Sequence, residues 1–226
     1  SYIKIKKKFK NKKTKIFNKF ENLKLKKSDI SICAIPGIQG LEPTIHLTKF
    51  SKKVLLANKE SVICGWDLIK KNSLKNKTKI IPIDSEHFSI FKLLESHKLK
   101  EIKKIYITAS GGPFLNLSKK QLSKVTPKDA LKHPKWKMGK KISVDSATMM
   151  NKALEIIEAK YLFNLSSDQI NAIIHPESVI HAAINYYDNS SISLMNEPDM
   201  KIPISYLFKI KNSTNNDRNI FHQLSK

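Results

Sequence analysis

Glycine is scarce in this chain: six residues in 226, under half of the usual ~7%. Gly37, Gly40, Gly65, Gly111, Gly112 and Gly139 are the whole set, and no subset spells GxGxxG or GxxxxGK followed by Ser or Thr. The glycine-rich loops that cradle nucleotide phosphates are therefore missing from these residues. Arginine is scarcer still, since Arg218 is the only one among 42 basic residues. Nucleic-acid readers favour the bidentate guanidinium for phosphate and guanine contacts, so a lysine surface is a poor match to them. Cysteine is limited to Cys33 and Cys64, with no CxxC pair, which excludes a disulfide framework and reads as thiols in a reducing compartment. No uncharged apolar run approaches the ~18–20 residues of a membrane span. The basic stretch from Lys4 to Lys15 lacks both the apolar core of a secretory signal and the arginines of a transit peptide. A cytoplasmic protein with no membrane or nucleic-acid partner is expected.

What is present is enough for a folded domain. Hydrophobic residues make up 40% and charged residues 27%, a balance that supports a core. The net charge is +23. Lysines crowd the first 30 residues, opposed there only by Glu21 and Asp29. That run reads either as an electrostatic arm for polyanions or as compositional bias in which Lys, Asn and Ile rise together. The second reading is preferred. Ser1 stands where a start methionine would, which suggests a piece of a longer protein.

The patterning predicts alternating strands and helices. Residues 30–36, 54–57, 80–83 and 104–109 read as strands, the first of them buried, and Pro82 puts the third near an edge or a strand end. Residues 60–71 and 88–99 have helical spacing, so the rhythm argues for a parallel or mixed α/β sheet. A loop over 111–141 follows, interrupted by short helices near 117–125 and 127–131. Residues 147–163 read as one helix with Met150, Ala153, Ile157 and Tyr161 as its apolar stripe. Strands at 171–175, 178–187 and 191–195 come last, before a polar tail from Lys211.

Polar clusters fall where the strands end: Asn58-Lys59-Glu60, Asp84-Ser85-Glu86 and Ser110-Gly111-Gly112. Ligands of open α/β sheets bind beyond the carboxyl ends of strands, so the three clusters point to one site. Asp84 and Glu86, two apart, share a side of an extended segment and suit a hard divalent cation if a third carboxylate joins them. Glu155 offers that group, on one helix face with Asn151 and Lys152. Ser146 at the start of the same helix, with Asn151 and Lys152, makes a plausible phosphate pocket, and Ser110-Gly-Gly is a candidate anion nest. His133, Trp136 and Met138 lie on a long loop that reads as a lid or as a satellite core contact. His175 and His181 share a strand face, where core contacts, subunit contacts and catalysis all remain open.

Eight strings in order carry a resemblance to one family. They are Leu56-Ala-Asn-Lys-Glu-Ser61, Ile83-Asp-Ser-Glu-His87, Thr108-Ala-Ser-Gly-Gly-Pro-Phe114, His133-Pro-x-Trp-x-Met-Gly139, Lys141-Ile-Ser-Val-Asp-Ser-Ala-Thr-Met-Met-Asn-Lys152, Leu154-Glu155, His175-Pro-x-Ser-Val-Ile-His181 and Glu197-Pro-Asp-Met200. Over about residues 30–205 the chain resembles 1-deoxy-D-xylulose 5-phosphate reductoisomerase. The resemblance implies an α/β fold: the remnant of a Rossmann-like NADPH-binding domain over 1–80, an α+β catalytic domain with a mixed sheet over 81–210, and a linker over 211–226. It implies an internal fragment lacking the family's glycine-rich loop and C-terminal helical domain, poorly active alone.

The implied reaction is the NADPH-dependent rearrangement and reduction of 1-deoxy-D-xylulose 5-phosphate to 2-C-methyl-D-erythritol 4-phosphate, with Mg²⁺ or Mn²⁺ and in a homodimer. Carried over by residue, Asp84, Glu86 and Glu155 bind the metal. Ser110, Ser146, Asn151 and Lys152 hold the phosphate, and Lys59, Ser85 and His133 contact the sugar end. Trp136 and Met138 sit on the closing flap, while Asn58, Glu60 and Gly139 touch NADPH. Two other readings compete: a lysine-rich polyanion-binding module, whose DNA affinity would fall steeply with salt, and a metal-dependent sugar-phosphate isomerase without NADPH.

Overall fold

The computed structural model describes residues 2–10, 12–20, 26–132 and 139–208. A short helix α1 (Tyr2–Lys8) with every residue at the surface precedes β1 (Ser28–Cys33), α2 (Leu41–Leu47), β2 (Ser51–Leu56), α3 (Lys59–Asn76) and β3 (Lys79–Pro82). The three strands form a parallel sheet in the order β1-β2-β3. Val54, Leu55 and Leu56 make β2 the buried centre, as two covered faces require of a middle strand. β1 is an edge, and only Cys33 on it is buried, so the expectation of a buried strand at 30–36 is corrected. Pro82 ends β3 at the opposite edge, where a missing N–H costs no ladder bond.

The second half contains α4 (Ser85–Leu94), β4 (Ile102–Ala109), α5 (Lys119–Leu122), α6 (Pro127–Ala130), α7 (Lys140–Ala147) and α8 (Met150–Phe163). β5 (Ile170–Ile174), β6 (Ile180–Tyr186), β7 (Ser191–Met195) and α9 (Lys201–Leu207) follow. The sheet order is β5-β4-β6-β7, with β4 parallel to β5 and the other pairs antiparallel. This is the mixed sheet the motifs imply. Its core joins Ile90 and Leu93 of α4 to Ile105, Ile107, Ile170 and Ile184 of the strands, each apolar side chain stabilising by about 1.5–3 kcal/mol on burial.

Helix boundaries depart from expectation in ways that matter for the site. α4 begins at Ser85, not near residue 88, because the Asp84 carboxylate caps it by accepting from the His87 N–H at 2.7 Å. Asp84 and Glu86 thus occupy a helix N-cap and first turn, and not an extended segment. The helix expected over 147–163 begins only at Met150, after a break at Met149 in a left-handed conformation (φ 60°), and a separate helix α7 ends at Ala147. Ser146 consequently lies in the last turn of α7, and not at a helix start. The stripe Met150, Ala153, Ile157 and Tyr161 faces outward, while Lys152, Glu155 and Glu158 are buried. The reason is tertiary: α8 packs against α3, α4 and β5, and α3 and α4 bring charged partners to its polar side.

Candidate active site at the carboxyl ends of the strands

A cavity of about 310 Å³ opens where both sheets present their strand ends. Asn58 caps α3 by accepting from the Ser61 N–H at 2.6 Å, so Lys59 starts that helix at the cavity wall. Asp84, Ser85 and Glu86 enter from the start of α4, Ser110 from the end of β4, Ser146 from α7, and Asn151, Lys152 and Glu155 from α8. Nine predicted site residues thus line one cavity. Gly112 permits a close approach between two of the segments that carry them. Its φ is +67°, and a Cβ there would lie 2.7 Å from the Ser146 carbonyl oxygen, so only glycine lets the Ser110 loop rest on the end of α7.

Charge is balanced at short range. Lys152 Nζ donates to Glu86 Oε1 at 2.7 Å and to Glu155 Oε2 at 2.5 Å. Lys59 Nζ donates to Asn151 Oδ1 at 2.6 Å and to Glu155 Oε1 at 3.2 Å, and the Asn151 amide donates to the same Glu155 oxygen. Ser85 Oγ donates to Glu86 Oε2 at 2.5 Å. Burial alone would push both lysines down, but the carboxylates outweigh it and hold them above the ordinary lysine range, Glu86 and Glu155 for Lys152 and chiefly Glu155 for Lys59. Burial opposes ionisation of Asp84 and Glu86 as well, yet His87 lowers the first and Lys152 the second.

The residues expected to meet NADPH divide. The Asn58 side chain is engaged within the protein, donating to the Ile35 and Gly37 carbonyls besides capping α3. Glu60 pairs with Lys141 at 3.0 Å, and Lys141 with Asp145 at 2.7 Å, which brings Glu60 to the α7 end where Gly139 is the N-cap. His133, Trp136 and Met138 lie outside the described residues.

Three buried residues at or behind the cavity were not assigned a role from the sequence. His181 is buried on β6 and lines the cavity, whereas His175 pairs with Glu177 at 3.2 Å. His87 is fully buried, its Nδ1 2.5 Å from Asp84 Oδ2 and its Nε2 2.9 Å from the Glu155 carbonyl oxygen. Glu158 is a buried carboxyl with Oε2 3.6 Å from His87 Nδ1 and without a hydrogen-bond partner there. Burial raises Glu158 to about 7, while His87 reaches about 10 because Asp84 and Glu158 outweigh its desolvation. The signal for Glu158 was its place three residues after Glu155, on the same helix face.

A parallel-strand unit beside a mixed-sheet unit, with carboxylates and lysines interleaved between them, defines the class: two-part α/β proteins built on a dinucleotide-type sheet. A hyperthermophilic archaeal homoserine dehydrogenase shares this fold at a TM-score of 0.57 and 12% identity. Two family profiles match: 1-deoxy-D-xylulose 5-phosphate reductoisomerase over residues 2–65 and the C-terminal domain of the same enzyme over 80–163. The chain belongs to the 1-deoxy-D-xylulose 5-phosphate reductoisomerase family. It is 54% identical to the reductoisomerase of Pelagibacter ubique over 86% of this chain and 52% of that protein, and 55% identical to that of Wolbachia pipientis from Culex pipiens over 79% and 46%. It spans about half the length of these relatives. A solved DOX-P reductoisomerase in complex with NADPH, fosmidomycin and magnesium superposes with a TM-score of 0.79 at 39% identity, over 92% of this chain and 55% of that one. The Zymomonas mobilis enzyme in complex with NADPH gives 0.73 at 40% identity, over 80% and 46%.

Proposed function

We propose that this chain supplies the metal- and substrate-binding part of an NADPH-dependent reductoisomerase that converts 1-deoxy-D-xylulose 5-phosphate to 2-C-methyl-D-erythritol 4-phosphate. The observation that carries it is the convergence of Asp84, Glu86 and Glu155 with Lys59, Lys152, Ser110 and Ser146 on one cavity. The donor set fits a hard divalent ion, Mg²⁺ or Mn²⁺: three carboxylates, two of which already bracket a cationic group at 2.7 and 2.5 Å. Gly139 fits close approach by NADPH, since no described residue lies within 4 Å of where its Cβ would be. When bound, the divalent ion supplies Lewis-acid stabilisation of charge on adjacent oxygens and NADPH supplies the hydride.

The side chains divide the remaining work. Ser110, Ser146, Asn151 and Lys152 hold the phosphate, and binding energy far from the reacting carbons orients them. Lys59, Ser85 and His133 contact the sugar end, and the protonated Lys59 stabilises developing oxyanion charge. Asn58, Glu60 and Gly139 border the cofactor. In this reading residues 1–80 are the end of the NADPH-binding domain, residues 81–210 the catalytic domain, and 211–226 a linker, in a homodimer of the cytoplasm. The described residues contain no helix long and apolar enough to cross a membrane.

A Mn²⁺ titration of this chain, with and without 1-deoxy-D-xylulose 5-phosphate, tests the reading beside Asp84→Asn. Binding that tightens with the sugar phosphate and is lost in the variant is expected. A folded chain whose Mn²⁺ affinity matches that of the variant overturns it.

A further inference from the structure

The buried His87 ring joins two of the three proposed metal ligands. Nδ1 meets the Asp84 carboxylate at 2.5 Å and Nε2 meets the Glu155 backbone carbonyl at 2.9 Å. Both partners are acceptors, so both ring nitrogens donate and the ring is a cation. It stacks on Phe163, ring centroids 6.3 Å apart and planes 19° apart, and has no exposed surface. A buried cation needs a counter-charge. If Asp84 alone supplied it, the same carboxylate would be shared with a divalent ion and weakened as a ligand. Glu158 is a second anion beside the ring, 3.6 Å from Nδ1, buried, and with Oε2 bound to nothing else.

We propose that Glu158 is a positioning residue: by compensating the His87 cation it leaves the Asp84 charge available to the metal, while His87 fixes Asp84 against the Glu155 backbone. This rests on the metal-site reading above. α8 thereby contributes twice, with Glu155 as ligand and Glu158 one turn on as support. Partners behind a ligand are typically worth about 10- to 100-fold in metal affinity.

The experiment is a Mn²⁺ titration of this chain at pH 8, followed by electron paramagnetic resonance. The proteins are wild type, Asp84→Asn, Glu158→Gln, His87→Gln and the His87→Gln/Glu158→Gln double variant, with Ile184→Val as a core control. Glu158→Gln is expected to weaken Mn²⁺ about tenfold, and to add nothing once His87 is already glutamine. Ile184→Val lowers the melting temperature and leaves Mn²⁺ affinity alone. Wild-type affinity in Glu158→Gln overturns the proposal. So does an equal loss in both backgrounds, which would mean that Glu158 acts as a distant charge and not through His87. Failure of wild type to bind Mn²⁺ better than Asp84→Asn removes the metal-site reading, and this proposal with it.

Discussion

α8 buries charged side chains more deeply than the apolar stripe on its outer side, although Ile156, Ala159 and Phe163 do join the core. Lys152, Glu155 and Glu158 are 5%, 3% and 2% exposed, whereas Met150, Ile157 and Tyr161 on the other side are 51%, 40% and 40% exposed. Most helices in soluble proteins bury the apolar stripe. Here the buried charges are matched one against another, Lys152 between Glu86 and Glu155, and Lys59 on Glu155. Ions buried in this way stabilise a fold weakly, if at all, compared with apolar side chains of the same size. What such a face does provide is a fixed set of charges at a cavity, where reduced dielectric strengthens their action on a ligand. Met150, Ile157 and Tyr161 stay only partly covered by the described residues.

The largest expected effect comes from Glu155→Gln. The substitution removes the charge that meets Lys59 and Lys152, so Mn²⁺ affinity falls at least about 100-fold and turnover by the complete enzyme proposed above is abolished. Calorimetric titration reads the first and NADPH oxidation the second, with circular dichroism confirming that the helices persist. Near-normal metal binding would show that the buried face is structural. Lys152→Met sharpens the contrast in the opposite direction. With its ammonium gone from between Glu86 and Glu155, Mn²⁺ binds about tenfold tighter, a change of about 1.4 kcal/mol. Inorganic phosphate binds about tenfold more weakly, having lost a charge-assisted contact. Weaker binding of both would mean that the lysine does not compete with a cation for these carboxylates.

Gly112→Ala asks how much movement the cavity side of α7 and α8 tolerates. A Cβ 2.7 Å from the Ser146 carbonyl, at φ +67°, should lower unfolding free energy by about 1–3 kcal/mol. Thermal denaturation measures it, and the phosphate affinity should drop with it as Ser110 and Ser146 are forced apart. Smallest of all is Ile157→Lys on the outer face, expected within about 0.5 kcal/mol of wild type and without effect on Mn²⁺. A loss above about 1 kcal/mol would mean that this face is covered in solution, and the comparison of the two faces would no longer hold.

Local chemistry was legible where it depends on neighbouring residues. Pro82 at a strand end, the Asp188-Asn189-Ser190 hairpin between β6 and β7 and the polar clusters after β2, β3 and β4 all follow from short-range rules. The start of α4 was missed although Asp84 stands three residues before the His87 N–H that it caps, because Asp-x-Glu was read as an extended pair. Met149 gave no warning. A bulky residue in the left-handed region is disfavoured locally, and only surrounding structure holds it there. That single break moved Ser146 from a helix start to a helix end.

Sequence alone determined the family, the alternation of strands and helices, and which residue types could bind a divalent ion and a phosphate, because composition, order and local period are properties of the chain itself. Tertiary structure decided which face of α8 is buried, where Ser146 sits, and that His87 and Glu158 stand behind the carboxylates. The Lys59–Glu155 pair spans 96 residues and the Lys152–Glu86 pair 66. A helix carrying both an apolar and a charged stripe can bury either, and the choice falls to the counter-charges that α3 and α4 bring against it.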